Sequence, residues 1–377
     1  MLPFSLLLSS FLSLTSAATI QSRATACNNS PDLCSRAYNS ITHLGAHDSP
    51  FVRDATTSYS TSGNQYYNST VQLGAGVRLL SAQVHQNNGN WHLCHSSCDL
   101  LDAGLLSDWL KDIKTWMDAN PNDVVTVLLV NSDDATPADL HAEFTTAGVV
   151  DMAYKPASST TAPATWPTLQ ELINAGTRLM TFVASLDPAS IPTEYSYLMD
   201  EFTFIFENPY ENTSASNFTC APDRPTGLTI ESVGNRMSFM NHFLYESGFL
   251  DIETPNVDNI TFTNSPDTTT VGQFGYSLNT CKGQYSKAPV FTLLDFVTEG
   301  PAINAVDAMN GITPTGRTAL PAKDTTTSKA DSSFATVQAL VEQVKSGKKP
   351  STGAWLYAGG SWQLGGINLS GGDLITK

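Results

Sequence analysis

The strongest constraint on the fold is an alternation. Seven short apolar runs, at residues 41–46, 77–84, 124–131, 178–184, 202–207, 237–242 and 290–297, are separated by segments with helical spacing. Such alternation marks strand–helix–strand units whose strands align in parallel. Between the second and third runs, Leu106, Trp109, Leu110, Ile113 and Met117 recur at helical spacing until Asn120-Pro121-Asn122 stops the helix. Thr168, with Glu171 three residues on, caps another. The chain has 377 residues, room for one barrel of about 250 residues plus extensions. The expected architecture is therefore α/β, a distorted TIM-type (β/α) barrel over residues 40–311.

In such a barrel the working side chains stand at the C-terminal ends of the strands. Here those ends carry His47 and Asp48, Gln83 and His85, Asn131 and Asp133, Glu207 and Asn208, Asn241 and His242, and Asp295. Loops after strands are polar in any protein, so polarity alone singles out little. The concentration of scarce histidines does more, since the chain has only seven. His47 and His95, from the ends of two early strands, form a pair suited to phosphodiester cleavage, one taking a proton and one returning it. His43 and His141 read as structural, while His92 and His242 read equally well either way.

Residues 4–14 form an apolar run ending in Ser16-Ala17-Ala18, the pattern of a secretory leader over 1–18, although no basic residue precedes it. Six cysteines and Asn-x-Ser/Thr sequons at Asn28, Asn68, Asn212, Asn217, Asn259 and Asn368 fit an oxidising, glycosylating route. Proximity favours Cys27 with Cys34, within an N-terminal segment over 19–39, and Cys94 with Cys98, which leaves Cys220 with Cys281. A zinc reading of His92, Cys94, His95 and Cys98 is the weaker alternative. No later stretch approaches the roughly 20 apolar residues of a membrane span, and the C-terminus has no hydrophobic tail. A secreted, soluble monomer is expected. Residues 312–377 read as a Ser/Thr-rich linker followed by an extension that packs on the barrel, with an amphipathic helix over 334–345. The formal charge of −16 argues against nucleic acid and against electrostatic docking on anionic membranes.

Several segments resemble one family. Leu44-Gly45-Ala46-His47-Asp48-Ser49, Gly76-Val77-Arg78-Leu79-Leu80, the stretch from Leu93 to Gly104, Asn120-Pro121-Asn122-Asp123-Val124-Val125 and Leu293-Leu294-Asp295-Phe296 are similar to the phosphatidylinositol-specific phospholipase C X-domain superfamily. The likeness is to its secreted fungal phospholipase C-like phosphodiesterases. The resemblance implies that His47 is the general base and His95 the general acid. It further implies that Asp295 orients His47 and that Asp48 supports phosphate and leaving group.

One departure stands out. Metal-independent bacterial relatives place a phosphate-neutralising arginine on the second strand, and metal-dependent relatives place two calcium-binding acids there. Here Ser81 and Gln83 occupy those positions, and neither a calcium cage nor an arginine clamp can be built from them. Arg78 has the opposite parity and is expected to face the helices. His85, which shares parity with Gln83, is the favoured replacement. A divalent cation held by Asp48, Glu207 and other acids is a second possibility, and otherwise no cofactor is implied. Gln83, His85, Asn131, Glu207 and His242 are thus the candidate substrate-binding residues. The expected activity is phosphoric diester hydrolysis on an inositol phospholipid or related diester, with a lipid surface as possible partner. A soluble glycerophosphodiester, or binding of an inositol phosphate or glycan without catalysis, is the alternative.

Overall fold

A computed structural model describes residues 25–247 and 253–323, and the backbone of three short antiparallel strands between 355 and 369. The expected leader and the helix expected over 334–345 lie outside the described residues. Among the described residues twelve strands precede the tail: β1 (His43–Ala46), β2 (Leu79–Asn87), β3 (Asn90–Cys94), β4 (Asp102–Leu105), β5 (Val125–Asn131), β6 (Leu179–Ala184), β7 (Leu198–Asp200), β8 (Ile205–Glu207), β9 (Met237–Asn241), β10 (Tyr245–Ser247), β11 (Glu253–Pro255) and β12 (Phe291–Leu294). Eight of them run in the order β7-β6-β5-β2-β1-β12-β9-β8, every neighbouring pair parallel. The two ends of that path, β7 and β8, are consecutive in the chain. The sheet is therefore the ring of a β/α barrel opened at one seam, which makes it a distorted TIM-like barrel.

Residue alternation sorts the strand side chains into two cores. Leu79, Leu128, Phe182, Phe239, Phe291 and Leu293 pack inside the barrel. Leu80, Val127, Leu129, Val183, Met240 and Leu294, each one residue out of phase, pack outward with the helices. Helix α2 (Leu106–Ala119) supplies Leu106, Trp109, Leu110, Ile113 and Met117 to that outer layer. Burying each such side chain is worth roughly 1.5–3 kcal/mol, so Ile113→Asp would detach the helix. Below, Tyr38 and the Cys27–Cys34 loop plug the barrel floor against Trp166 and Phe291. Arg78 closes that end by bonding Asp123 at 2.8 Å and Asn29 at 2.6 Å, and it lies over the ring of Trp116, facing the helices as its parity implies. The strands pack tightly at Gly45, where an added Cβ would lie 2.5 Å from the Thr292 carbonyl oxygen.

Three features depart from the expected pattern. The run at 202–207 is not one strand. Asp200 accepts from the Thr203 amide at 2.8 Å and caps a single helical turn, α5 (Glu201–Phe204), so only Ile205–Glu207 remains extended. β7 was not expected, and neither was the β2–β3–β4 meander, whose tight turn at Asn88-Gly89 puts both residues at positive φ. The three expected disulfides are all present. Sequon residues Asn28 and Asn212 are buried, at 6% and 4% exposure. Asn28 is further tied to the Val124 amide, so neither side chain is accessible to a glycan in the fold. After the barrel the chain runs back over it, with Arg317 on Asp307 and the Thr318 amide on Gly74.

Candidate active site

At the C-terminal mouth of the barrel lies an open cavity lined by side chains from β2, β5, β6, β8, β12 and the loops that follow the strands. His47 follows β1 on its inward parity and stacks on Phe243, ring centroids 3.9 Å apart. Its Nδ1 bonds Asp295 Oδ1 at 2.8 Å. A carboxylate can only accept, so Nδ1 carries the hydrogen and Nε2 is turned to the cavity. Asn64 donates to the same Asp295 oxygen at 2.9 Å. Gln65 donates to the His47 carbonyl at 2.7 Å.

Asp48 sits at positive φ, 47°, a strained conformation for a residue with a side chain. It is held there by Ser81, whose hydroxyl accepts from the Asp48 amide at 2.9 Å and whose carbonyl accepts from the Ser49 amide. Gln83 donates to Asp48 Oδ2 at 2.7 Å and, through Oε1, accepts from the Ser96 amide at 2.8 Å. It therefore clamps Asp48 to the loop that bears His95. That loop is cinched by Cys94–Cys98 and set by the His95 amide on the Leu101 carbonyl. The result is convergence. Asp48 Oδ2 lies 3.7 Å from His47 Nε2 and 3.8 Å from His95 Nε2.

Burial disfavours the charged form of both imidazoles. At His47 the nearby carboxylates of Asp48, Asp295 and Glu207 outweigh it and raise the pKa above the usual 6.5. At His95 burial prevails, with His47 adding to it and Asp48 opposing, and the pKa falls below 6.5.

The far wall is acidic. Glu207 reaches into the cavity on the inward parity of β8, and Oε2 receives Nε and Nη2 of Arg224 and Nδ2 of Asn241. Arg224 in turn lies over the Tyr210 ring at 4.3 Å. Glu201, buried in α5, lines the same wall; burial, then Glu207, push its carboxyl well above the usual range.

The structure thus gathers His47, Asp48, Gln83, His95, Glu207 and Asp295, and leaves three expected binding residues outside. His85 is two residues beyond Gln83, where β2 has already passed the rim into the hairpin, and it pairs with Asp133 at 3.2 Å. Asn131 follows the inward-facing Val130 and so points out, closing a turn through both its bonds to Ala135. His242 likewise points outward from β9, donating to the Thr263 carbonyl between Phe218 and Phe274. Sequence reasoning missed Asn64, Gln65, Glu201 and Arg224, which sit in loops or in a single helical turn without any repeating spacing. The zinc reading also fails, because Cys94 and Cys98 are bonded to each other and His92 is turned to Asp102 at 2.9 Å.

The family model described as PI-PLC X 1 matches residues 33–310. A PI-PLC X domain-containing protein 1 from Arthroderma benhamiae is 37% identical over 290 residues, 76% of this chain and 90% of that protein. An uncharacterized secreted protein from the same organism is 34% identical over 296 residues, 77% of this chain and 65% of that protein. The phosphatidylinositol-specific phospholipase C from Listeria monocytogenes superposes with a TM-score of 0.47 at 15% identity, over 75% of this chain and 96% of that one. By the match over residues 33–310, this chain belongs to the PI-PLC X domain family.

Proposed function

We propose that the protein is a secreted phosphoric diester hydrolase that cleaves an inositol phospholipid or a related diester by general acid and base catalysis from His47 and His95. One observation carries this reading: two imidazole Nε2 atoms face a single carboxylate oxygen, Asp48 Oδ2, beside the cavity that His47 and Asp48 line at the strand ends. His47 Nε2 takes the proton of a headgroup hydroxyl next to the phosphodiester. That oxygen attacks phosphorus in line, closing a cyclic phosphate. His95 Nε2 gives its proton to the departing alcohol oxygen, which on a phospholipid leaves as diacylglycerol. Each transfer is worth about 10²- to 10⁴-fold in rate. Asp295 holds the hydrogen of His47 Nδ1 and stabilises the imidazolium that forms.

The two shifts favour these roles. A base with a raised pKa and an acid with a lowered one both transfer protons downhill, at the expense of the fraction correctly protonated. No metal is needed in this scheme, and the donor set does not fit a calcium cage. Ser81 and Gln83 stand where acids would be required, Asp48 Oδ2 is bonded by Gln83, and Glu207 by Arg224. The charge nearest the phosphoryl group is then the proton the histidines hold between them. Export is supported by the leader pattern and three disulfides, and a relative carries the description secreted.

Phosphorus NMR with phosphatidylinositol micelles, with and without chelator, tests the proposal beside His47→Ala and His95→Ala. A cyclic inositol phosphate that forms despite chelator and is absent with both variants is expected. No turnover removes inositol phospholipid as substrate. The charge of −16, which repels anionic lipid surfaces, would then favour a soluble glycerophosphodiester.

A further inference from the structure

The seam of the barrel holds a carboxyl group that the mechanism does not use. Glu201 is 1% exposed yet lines the cavity, and among the described residues no donor reaches its Oε1. Its side-chain neighbour is Glu207, whose Oε2 already takes Arg224 and Asn241. Two packed carboxylates served by one guanidinium do not both ionise. Arg224 is committed to Glu207, so Glu201 is the one that keeps its proton. A buried carboxyl with an unmet bond is a cost that an apolar side chain of similar volume would avoid. Its position matters too. In strand order around the ring, β7 lies four steps from β1 in either direction, so the seam faces the His47 side from across the mouth.

We infer that Glu201 is a specificity-determining residue: packed against Glu207 in the seam, its carboxyl group hydrogen-bonds a ring hydroxyl of an uncharged polyol headgroup. The inference rests on reading the cavity as a diester site. With the diester at His47 and His95, the ring hydroxyls remote from it extend toward the opposite wall. A hydroxyl both donates and accepts, and the acid form of Glu201 beside the Glu207 carboxylate offers both counterparts. A ring phosphate only accepts, and would bring its charge against Glu207. The substrate class is therefore a headgroup with free ring hydroxyls rather than one carrying further phosphates.

Calorimetric titration with myo-inositol and kinetics on phosphatidylinositol test this with Glu201→Met, which keeps the length without the polar atoms, and Glu201→Gln, which keeps a donor and an acceptor. Loss of one such bond predicts about tenfold weaker myo-inositol binding and a KM about tenfold higher for Glu201→Met, with kcat little changed, while Glu201→Gln retains both. The wild type is also expected to turn over phosphatidylinositol at least about tenfold faster than its 4,5-bisphosphate. Myo-inositol binding that is absent in the wild type, or unchanged in Glu201→Met, overturns the inference, as do equal rates on the two lipids. Thermal melts of both variants exclude unfolding, and if Glu201→Met does not fold, Glu201→Leu replaces it. Glu201-dependent binding without any turnover would instead sink the diester reading and leave this one standing. Turnover with a silent Glu201→Met would do the reverse.

Discussion

His47 and His95 share Asp48 and differ in what stands behind them. Asp295 and Asn64 back the first, whereas the second has the ring of Phe51 edge-on at 5.5 Å and no carboxylate on its Nδ1. That difference separates their pKa values around 6.5, upward for His47 and downward for His95. The working pair holds one proton. Below the His95 pKa both rings are charged and the base is lost, and above the His47 pKa neither is charged and the acid is lost. A bell-shaped kcat/KM profile spanning pH 6.5 is therefore expected, and the two limbs belong to the pair as a whole. A profile that rises monotonically through that region would contradict it. The gathering of His47, Asp48, His95 and Asp295 was legible because their short segments resemble a family. Asn64 was not, since its partner Asp295 is 231 residues away and nothing local announces the bond. His242 and Asn131 were misplaced for a simpler reason, a one-residue phase that turns a strand-end side chain to the wrong face.

At the scale of elements, the β2–β3 hairpin takes His85 out of the mouth and brings His95 to it. It carries the chain past the rim and returns it so that the Cys94–Cys98 loop hangs His95 over the mouth, where Gln83 ties that loop to Asp48. The barrel strands were legible from their apolar runs, but β3 and β4 were not, because Trp91, His92 and Ala103 do not make a two-residue alternation. The disulfides should then separate function from stability. Cross-linking theory assigns about 2 kcal/mol to the short Cys94–Cys98 loop and about 4 kcal/mol to the loop closed by Cys220–Cys281, given separations of 4 and 61. Replacing Cys94 and Cys98 by serine is expected to lower kcat at least about tenfold, through misplacement of His95, for a modest loss in urea midpoint. Replacing Cys220 and Cys281 by alanine is expected to cost more stability and leave kcat at 25 °C nearly intact. The opposite ranking of kcat would show that the loop does not position the acid.

The molecule as a whole combines an acidic surface with buried neutral histidines. His43 on the barrel floor and His242 behind β9 are both pushed by burial down to about 4. Their unfolded value is about 6.5. Between these values the unfolded chain binds more protons than the folded one, so stability falls as pH drops, by at most about 3 kcal/mol for each. His95 acts in the same direction, and His47, with its raised value, offsets part of it. The urea midpoint is accordingly expected to be lower at pH 5 than at pH 7, and a higher one would refute the neutral burial of these rings. In the proposed chemistry His95 delivers a proton to the leaving oxygen and His47 removes one from the nucleophile. The most direct measurement compares hydrolysis of phosphatidylinositol with that of an inositol 4-nitrophenyl phosphate, whose leaving group departs without a proton, in the wild type, His95→Ala and His47→Ala. His95→Ala is expected to lose at least about 10²-fold on the lipid and little on the nitrophenyl ester, while His47→Ala loses heavily on both. Equal losses for His95→Ala on the two substrates would contradict it.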